Sequence, residues 1–366
     1  METSRSIRRA GVAFLIAVFP PGCGGLGNLI RAERCKVPGG VLSSWVPGPL
    51  RFWDGVAFLS LEHGRKTKLL RQEELAPDLI KLRRTGARYA APVYDERTST
   101  LYFVDHKLGA IVRWHSGSLE PSILCPMPSG YDATCTCWLL LNPTGSELYF
   151  TWSKEWPIYG DIVGCDIATG RTHVVCTAVL YHQRPEWLDQ DHLLVSALQP
   201  RHRGNDFYQI QKVNVRTGAR APLMSSMPSS KVFCVSPSRR RLFAFASDNV
   251  CRLYDLQALQ LIKELPPGVV RYADDPAAIA EQGSEWSMCL ADDVHLVCTR
   301  RVPIPRLLQG GLMGKYCSAG MAIVDLDTLK QRKLTASHAH PSIHYLRSCP
   351  KWQPGPTRPK VPAAKQ

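Results

Sequence analysis

Short apolar runs separated by polar turns fill the chain from residue 50 to residue 350, and six of them share a form. Leu50-Arg-Phe-Trp-Asp54, Leu101-Tyr-Phe-Val-Asp105, Leu148-Tyr-Phe-Thr-Trp152, Leu193-Leu-Val-Ser-Ala197, Leu242-Phe-Ala-Phe-Ala246 and Val294-His-Leu-Val-Cys298 each have the make-up of a strand core. Their starts lie 51, 47, 45, 49 and 52 residues apart. So regular a pitch marks an internal repeat rather than two unrelated domains.

Each unit has the same internal order. A strand and a turn precede the core, as in Pro92-Val-Tyr-Asp95, Leu141-Asn-Pro-Thr-Gly145, Pro185-Glu-Trp-Leu-Asp189, Val235-Ser-Pro-Ser238 and Leu290-Ala-Asp-Asp293. A third strand follows and ends in a tight turn, as in Cys165-Asp-Ile-Ala-Thr-Gly170 and Val213-Asn-Val-Arg-Thr-Gly218, where glycine suits a left-handed backbone. A fourth run closes the unit, as in Pro121 to Cys125, Thr172 to Cys176 and Leu261 to Leu265. Four strands in about 45 to 50 residues predict the blade of a β-propeller. The expected fold is therefore all-β: a six-bladed β-propeller over residues 46–352. The first unit has no opening strand before Leu50, whereas Ser342 to Leu346 is an opening strand with nothing after it. The C-terminal strand is expected to pair into the first blade and close the ring, which removes two exposed edges. A short helix is expected over 272–285, with Asp275 as its cap and Pro276 at its first position.

Composition agrees with a folded core and excludes collagen, coiled-coil and polytopic membrane classes: 45% of the 366 residues are apolar, 21% are charged and 28 are prolines. The net charge of +14 points toward polyanions, but its distribution matters more. Part of it lies in Arg5, Arg8 and Arg9 and in an acid-free tail, 353–366, that is Pro-rich and expected to be disordered. The densest basic stretch, Arg65 to Arg88, is interrupted by Glu73, Glu74 and Asp78 and has the pattern of a solvated connector, so no specific nucleic acid is implied.

Residues 1–22 have the layout of an export signal: three arginines, the apolar run Ala10 to Phe19, then Pro20-Pro-Gly22 before Cys23. The apolar run is too short to span a bilayer as a helix. Gly22-Cys23 also resembles a bacterial lipoprotein signal, which implies lipidation of Cys23, although Pro20 stands where that family carries a Leu-like residue. Lipidation and ordinary cleavage both remain open, and membrane contact is expected only through such a lipid. Residues 23–45 are assigned to a linker. The expected location is outside the cytoplasm, either periplasmic or as a membrane-anchored lipoprotein. Thirteen cysteines suit an oxidising compartment, but most lie in apolar strand-like runs and are expected to be buried thiols.

Pro185-Glu-Trp-Leu-Asp189, Ser236-Pro-Ser238 and Asn142-Pro-Thr-Gly145 resemble the Pro-x-Trp-Ser-Pro-Asp-Gly repeats of TolB-like propellers. That resemblance implies an exported binding platform. Ala90 to Asp105, followed by Gly109-Ala-Ile-Val-Arg-Trp114, is similar to the opening blade of gluconolactonase-type propellers. In that family a metal-binding glutamate opens the segment, and here the matching position is Ala90. No catalytic residue carries over.

The chemistry-bearing residues are few. His338, His340 and His344 lack an acidic or cysteine partner at matching spacing and favour a structural role, so no metal ligand set can be named. There is no Walker loop, dinucleotide fingerprint or nucleophile elbow, and no cofactor is implied. Asp54 and Asp105, taken as equivalent positions, either face the channel or cap turns. Trp152 and Trp187 are the aromatic candidates for stacking a sugar or peptide at the channel. These four residues form the expected ligand-binding set. The leading expectation is a non-enzymatic platform for a protein, peptide or glycan in the cell envelope; the rival is a metal-dependent gluconolactonase-like hydrolase with a degenerate site.

Overall fold

The computed structural model describes residues 37–45, 55–63, 66–71, 89–105, 108–126, 138–152, 159–180, 183–198, 208–246, 248, 250–265, 288–303, 316–335 and 343–351. These residues form 24 strands, all in antiparallel sheets, and no helix. The export signal, Cys23, Asp54, His338, His340, the expected helix over 272–285 and the tail 353–366 lie outside them.

Four of the five sheets have four strands each. The first contains β1 (Gly40–Trp45), β2 (Gly55–Ser60), β3 (Lys66–Arg71) and the C-terminal β24 (Ile343–Leu346), in the order β24-β1-β2-β3. The second runs in chain order through β4 (Tyr89–Asp95), β5 (Thr100–Asp105), β6 (Ala110–His115) and β7 (Ser122–Pro126). The eight-stranded sheet consists of two such units. One is β8 (Leu139–Leu141), β9 (Glu147–Trp152), β10 (Tyr159–Asp166) and β11 (Thr172–Leu180). The other is β12 (Glu186–Trp187), β13 (His192–Leu198), β14 (Tyr208–Asn214) and β15 (Arg220–Pro222). A single pair, Val179 with Ala197, joins them, because β12 covers only Leu193 and Leu194 on the inner edge of β13. The remaining sheets are β16 (Ser230–Val235) to β19 (Gln260–Leu265), by way of β17 (Arg241–Ala246) and β18 (Cys251–Asp255), and β20 (Met288–Leu290) to β23 (Gln331–Thr335), by way of β21 (His295–Pro303) and β22 (Tyr316–Asp325).

Five of the six expected cores are the second strands of their units, at β5, β9, β13, β17 and β21. The first unit differs. Its second strand is β1, which lies inside the stretch assigned to a linker, and β1 pairs on one side with β2 and on the other with β24 in the register Gly40 with Leu346 to Ser43 with Ile343. The folded part therefore begins at or before Val37, which is buried. Leu50 to Asp54, the expected core of the first unit, lies outside the described residues.

Local turn chemistry explains why the units repeat. After the third strand, the side chains of Asp166, Asn214, Asp255 and Asp325 each accept the backbone N–H three residues on, at 2.7 to 3.0 Å. This is the Asx turn, in which a carboxylate or amide replaces a backbone acceptor. The residue immediately after that one is left-handed, with φ of 70° at Gly170 and Gly218 and of 51° and 59° at Leu259 and Leu329.

The core is divided among the contacts between successive units. Phe58 and Leu42 of the first pack on Leu101 and Phe103 of the second. Val104 and Cys125 pack on Phe150 and Cys165, Tyr149 on Trp187 and Val195, Leu194 on Phe233 and Leu242, and Phe243 on Leu296 and Val324. The sixth cluster joins Cys289, Val297 and Ile323 of the last unit to Val41, Ala57 and Leu59 of the first. Each fully buried Leu, Val or Phe contributes roughly 1.5–3 kcal/mol, so cohesion between units is largely apolar. Polar clasps add direction: Arg113 donates to the Ile167 carbonyl at 3.0 Å, and Lys263 to that of Leu326 at 2.9 Å.

Candidate functional site

The first strands of the units, β24, β4, β8, β12, β16 and β20, converge on one cavity of about 350 Å³. Each contributes residues from its C-terminal end: Leu346 and Arg347, Tyr94 and Glu96, Leu140 and Leu141, Glu186 and Trp187, Val235 and Ser236, Cys289 and Leu290. The cavity therefore lies on the side that carries the turns from first to second strand. Arg184, just before β12, and Arg239, just after β16, also line it.

Hydrogen bonds hold its wall. Gln183 is buried, and its amide pairs with both backbone groups of Phe233, donating to the carbonyl at 2.9 Å and accepting from the N–H at 3.2 Å. This pairing satisfies the inner edge of β16 and anchors the segment that carries Arg184 and Glu186. Trp187 donates from Nε1 to the Leu141 carbonyl at 2.9 Å and meets Tyr149 edge-on with ring centroids 5.2 Å apart. Tyr345 donates its hydroxyl to the Pro38 carbonyl at 3.0 Å, and the Ser348 hydroxyl donates to Glu96 at 3.4 Å.

Three arginines and two glutamates line the cavity, and one of the glutamates is disfavoured as an anion. Desolvation pushes the Glu186 carboxyl up, against the opposing pull of Arg184. Burial, with Glu186 nearby, pushes the Cys289 thiol up to about 12 even though Arg184 acts in the opposite direction. A thiol so protonated is not a nucleophile at neutral pH. Among the described residues no group of three or more His, Cys, Asp and Glu side chains is placed to hold a metal ion.

Of the expected ligand-binding set, the structure brings only Trp187 to this cavity. Asp105 is buried at the far end of β5 and accepts the Leu108 N–H at 3.3 Å, which is the turn-capping role. Trp152 ends β9 on that same far side; it is buried in the cluster between the second and third units, edge-on to Phe150 at 5.1 Å. Asp54 lies outside the described residues. Sequence reasoning missed Arg184, Glu186, Arg239 and Arg347. Their signal was position: each sits within a few residues of the end of a first strand, beside turns that the repeat had already identified.

No protein-family model matches the sequence, and no curated protein matches it. Solved structures do. The chain is similar to TolB from Acinetobacter baumannii, with a TM-score of 0.53 and 12% identity over 84% of this chain, and it spans 66% of that one. It is similar to a chain of the nidogen/laminin complex, with a TM-score of 0.50 and 11% identity over 85% of this chain and 99% of that one. It is also similar to an oligogalacturonate lyase from Vibrio parahaemolyticus, with a TM-score of 0.50 and 11% identity over 83% and 79% of the two chains. All three are β-propellers, and at such identities the likeness shows the shared fold alone.

Proposed function

We propose that the chain is a six-bladed β-propeller whose last strand closes the ring on the first unit, and that it serves as an exported, non-enzymatic binding platform with the cavity at the mouth of its central channel as the site. The observation that carries this reading is the convergence of all six first strands on one cavity with a mixed apolar and polar wall. The sixth apolar cluster, between the last unit and the first, supports closure. Pockets of a few hundred Å³ with a few convergent polar groups are the usual form of a ligand site. Trp187 is the aromatic wall of the site, and the partner is a protein, peptide or glycan. Export rests on the 1–22 segment, with Cys23 as the residue a lipid would take.

The test is a screen of the mature chain against a glycan array and a displayed peptide library, beside the variant Leu141→Trp, which narrows the cavity from a half-buried position. A ligand held by the wild type and released by the variant at unchanged unfolding temperature supports the platform. Turnover of a sugar lactone that depends on added Ca²⁺ overturns it in favour of the hydrolase. The mass of the mature N-terminus checks export and separates a lipidated Cys23 from simple cleavage.

A further inference from the structure

Two turns of the protein share their backbone hydrogen bonds and differ in the residue at the left-handed position. Residues 142–147, Asn-Pro-Thr-Gly-Ser-Glu, and 236–241, Ser-Pro-Ser-Arg-Arg-Arg, connect first to second strands between the pairs Leu141–Leu148 and Val235–Leu242. Asn142 and Ser236 each donate a backbone N–H to the carbonyl five residues on, at 2.9 Å. Gly145 and Arg239 each donate back to the carbonyl three residues earlier, at 2.9 and 2.8 Å. The Asn142 and Ser236 side chains accept the same N–H, that of Glu147 and of Arg241, at 3.1 Å. The fourth position is left-handed in both turns, with φ of 68° at Gly145 and 58° at Arg239. Glycine adopts that conformation without cost, whereas an L side chain there costs roughly 1–2 kcal/mol.

The strained arginine is the one whose side chain lines the cavity, where Arg184 and Arg347 join it. Two carboxyls stand against three guanidiniums in this lining, and desolvation disfavours the charge of one of them, Glu186, beside Arg184. Left-handed leucines also stand at two turns away from the cavity, so it is the strain together with a place in the lining beside Arg184 and Arg347 that points to a side chain kept for its chemistry. Guanidinium groups hold carboxylates by charge-assisted hydrogen bonds, and Leu141, Trp187 and Leu290 supply an apolar surface beside them. A volume of about 350 Å³ is at the small end for ligand sites and suits a small molecule.

We propose that the cavity binds a small amphiphilic organic anion, its carboxylate met by the arginines and its apolar body laid against Trp187, Leu141 and Leu290. This rests on the reading of the cavity as the binding site. Calorimetry on the mature chain with three probes of one shape tests it: 2-naphthylacetate, the neutral 2-naphthylacetamide and the cationic 2-(2-naphthyl)ethylamine. The acetate is expected to bind at least tenfold more tightly than the amide, and the amine most weakly. Arg239→Gly relieves the turn, so its unfolding temperature stays level or rises, and it is expected to weaken the acetate about tenfold while leaving the amide unchanged. Arg347→Gln is expected to do the same. Equal affinity for acetate and amide, both lost in Leu141→Trp, overturns the charge preference while leaving the cavity as a binding site. An acetate affinity unmoved by Arg239→Gly, or no binding of any probe, overturns the proposal outright.

Discussion

Replacing Gln183 by leucine removes one side chain and leaves two buried backbone groups without partners. The Phe233 N–H and carbonyl face the inner edge of β16, where none of the described strands pairs with them, and the Gln183 amide is their partner at 3.2 and 2.9 Å. Phe233 is 1% exposed, so water does not readily take over. Each orphaned group costs about 1–3 kcal/mol, and the apolar leucine returns about 1–2 kcal/mol by its own burial. The expected net loss is about 2–4 kcal/mol. Urea unfolding measures it as a lower midpoint at unchanged slope, since the surface exposed on unfolding is nearly the same. Gln183→Glu separates the two bonds, because a carboxylate still accepts from the N–H but cannot donate to the carbonyl. Its folded-state pKa is therefore raised, so its deficit is full at neutral pH and shrinks as pH falls through that value. A loss below about 0.5 kcal/mol for the leucine variant would refute the edge-capping role assigned to Gln183.

Other expectations follow from the same geometry. Gly170→Ala places a Cβ 2.5 Å from the Leu124 carbonyl oxygen at a φ of +70°, so thermal unfolding should show a loss of at least about 1–3 kcal/mol. Leu259→Asn, at an exposed left-handed position in the equivalent turn, should instead gain up to about 1 kcal/mol; a loss would show that Leu259 packs more than its exposure indicates. Phe103→Ala in the cluster between the first two units should cost about 3–5 kcal/mol by urea unfolding. Asp189, Asp248 and Asp325 are among the carboxyls held below their usual range. Asp248 is lowered mainly by the Arg252 side chain and Asp325 by the Thr328 N–H, while for Asp189 the N–H of Asp191 and the His192 ring outweigh burial. Their stabilisation is complete above the unfolded carboxylate pKa of about 4 and is lost as pH falls through the lower folded values. The unfolding temperature should thus hold level down to about pH 5 and drop below about pH 4, and a flat profile to pH 3 would contradict these contacts.

The repeat was legible because its determinants are local. An Asx turn needs only an Asp or Asn, a small or polar residue three places on and a left-handed position after that, and these recur at Asp166, Asn214, Asp255 and Asp325. Second strands such as β5 and β17 are buried through most of their length and so appear as apolar runs long enough to measure a pitch. The first unit was misread for the opposite reason. Gly40-Val-Leu-Ser-Ser-Trp45 has a weak apolar signal, and it is a strand because β2 and a segment some 300 residues away pair with its two edges. Strand formation depends on such neighbours as much as on intrinsic preference, so Leu50 to Asp54 looked the better candidate.

The site was less legible than the fold because half of its strands are very short. β8 and β20 have three residues each and β12 has two, too few for alternation to show which side chains turn inward. Aromatic content therefore picked out Trp187, which packs between units and also lines the cavity, together with Trp152, which packs between units at the other end of its strand. Charge gave no help: an arginine beside a turn is ordinarily a solvated residue, and nothing in Ser236-Pro-Ser-Arg239 distinguishes it as sequence. What singles out Arg239 is a comparison only coordinates allow, namely that a turn elsewhere in the same chain with the same backbone bonds uses glycine at that place and does not line the cavity. Repeat proteins carry such internal controls, but the comparison needs a second observation: Leu259 and Leu329 also stand where sibling turns use glycine, and of these three positions Arg239 is the one that lines the cavity.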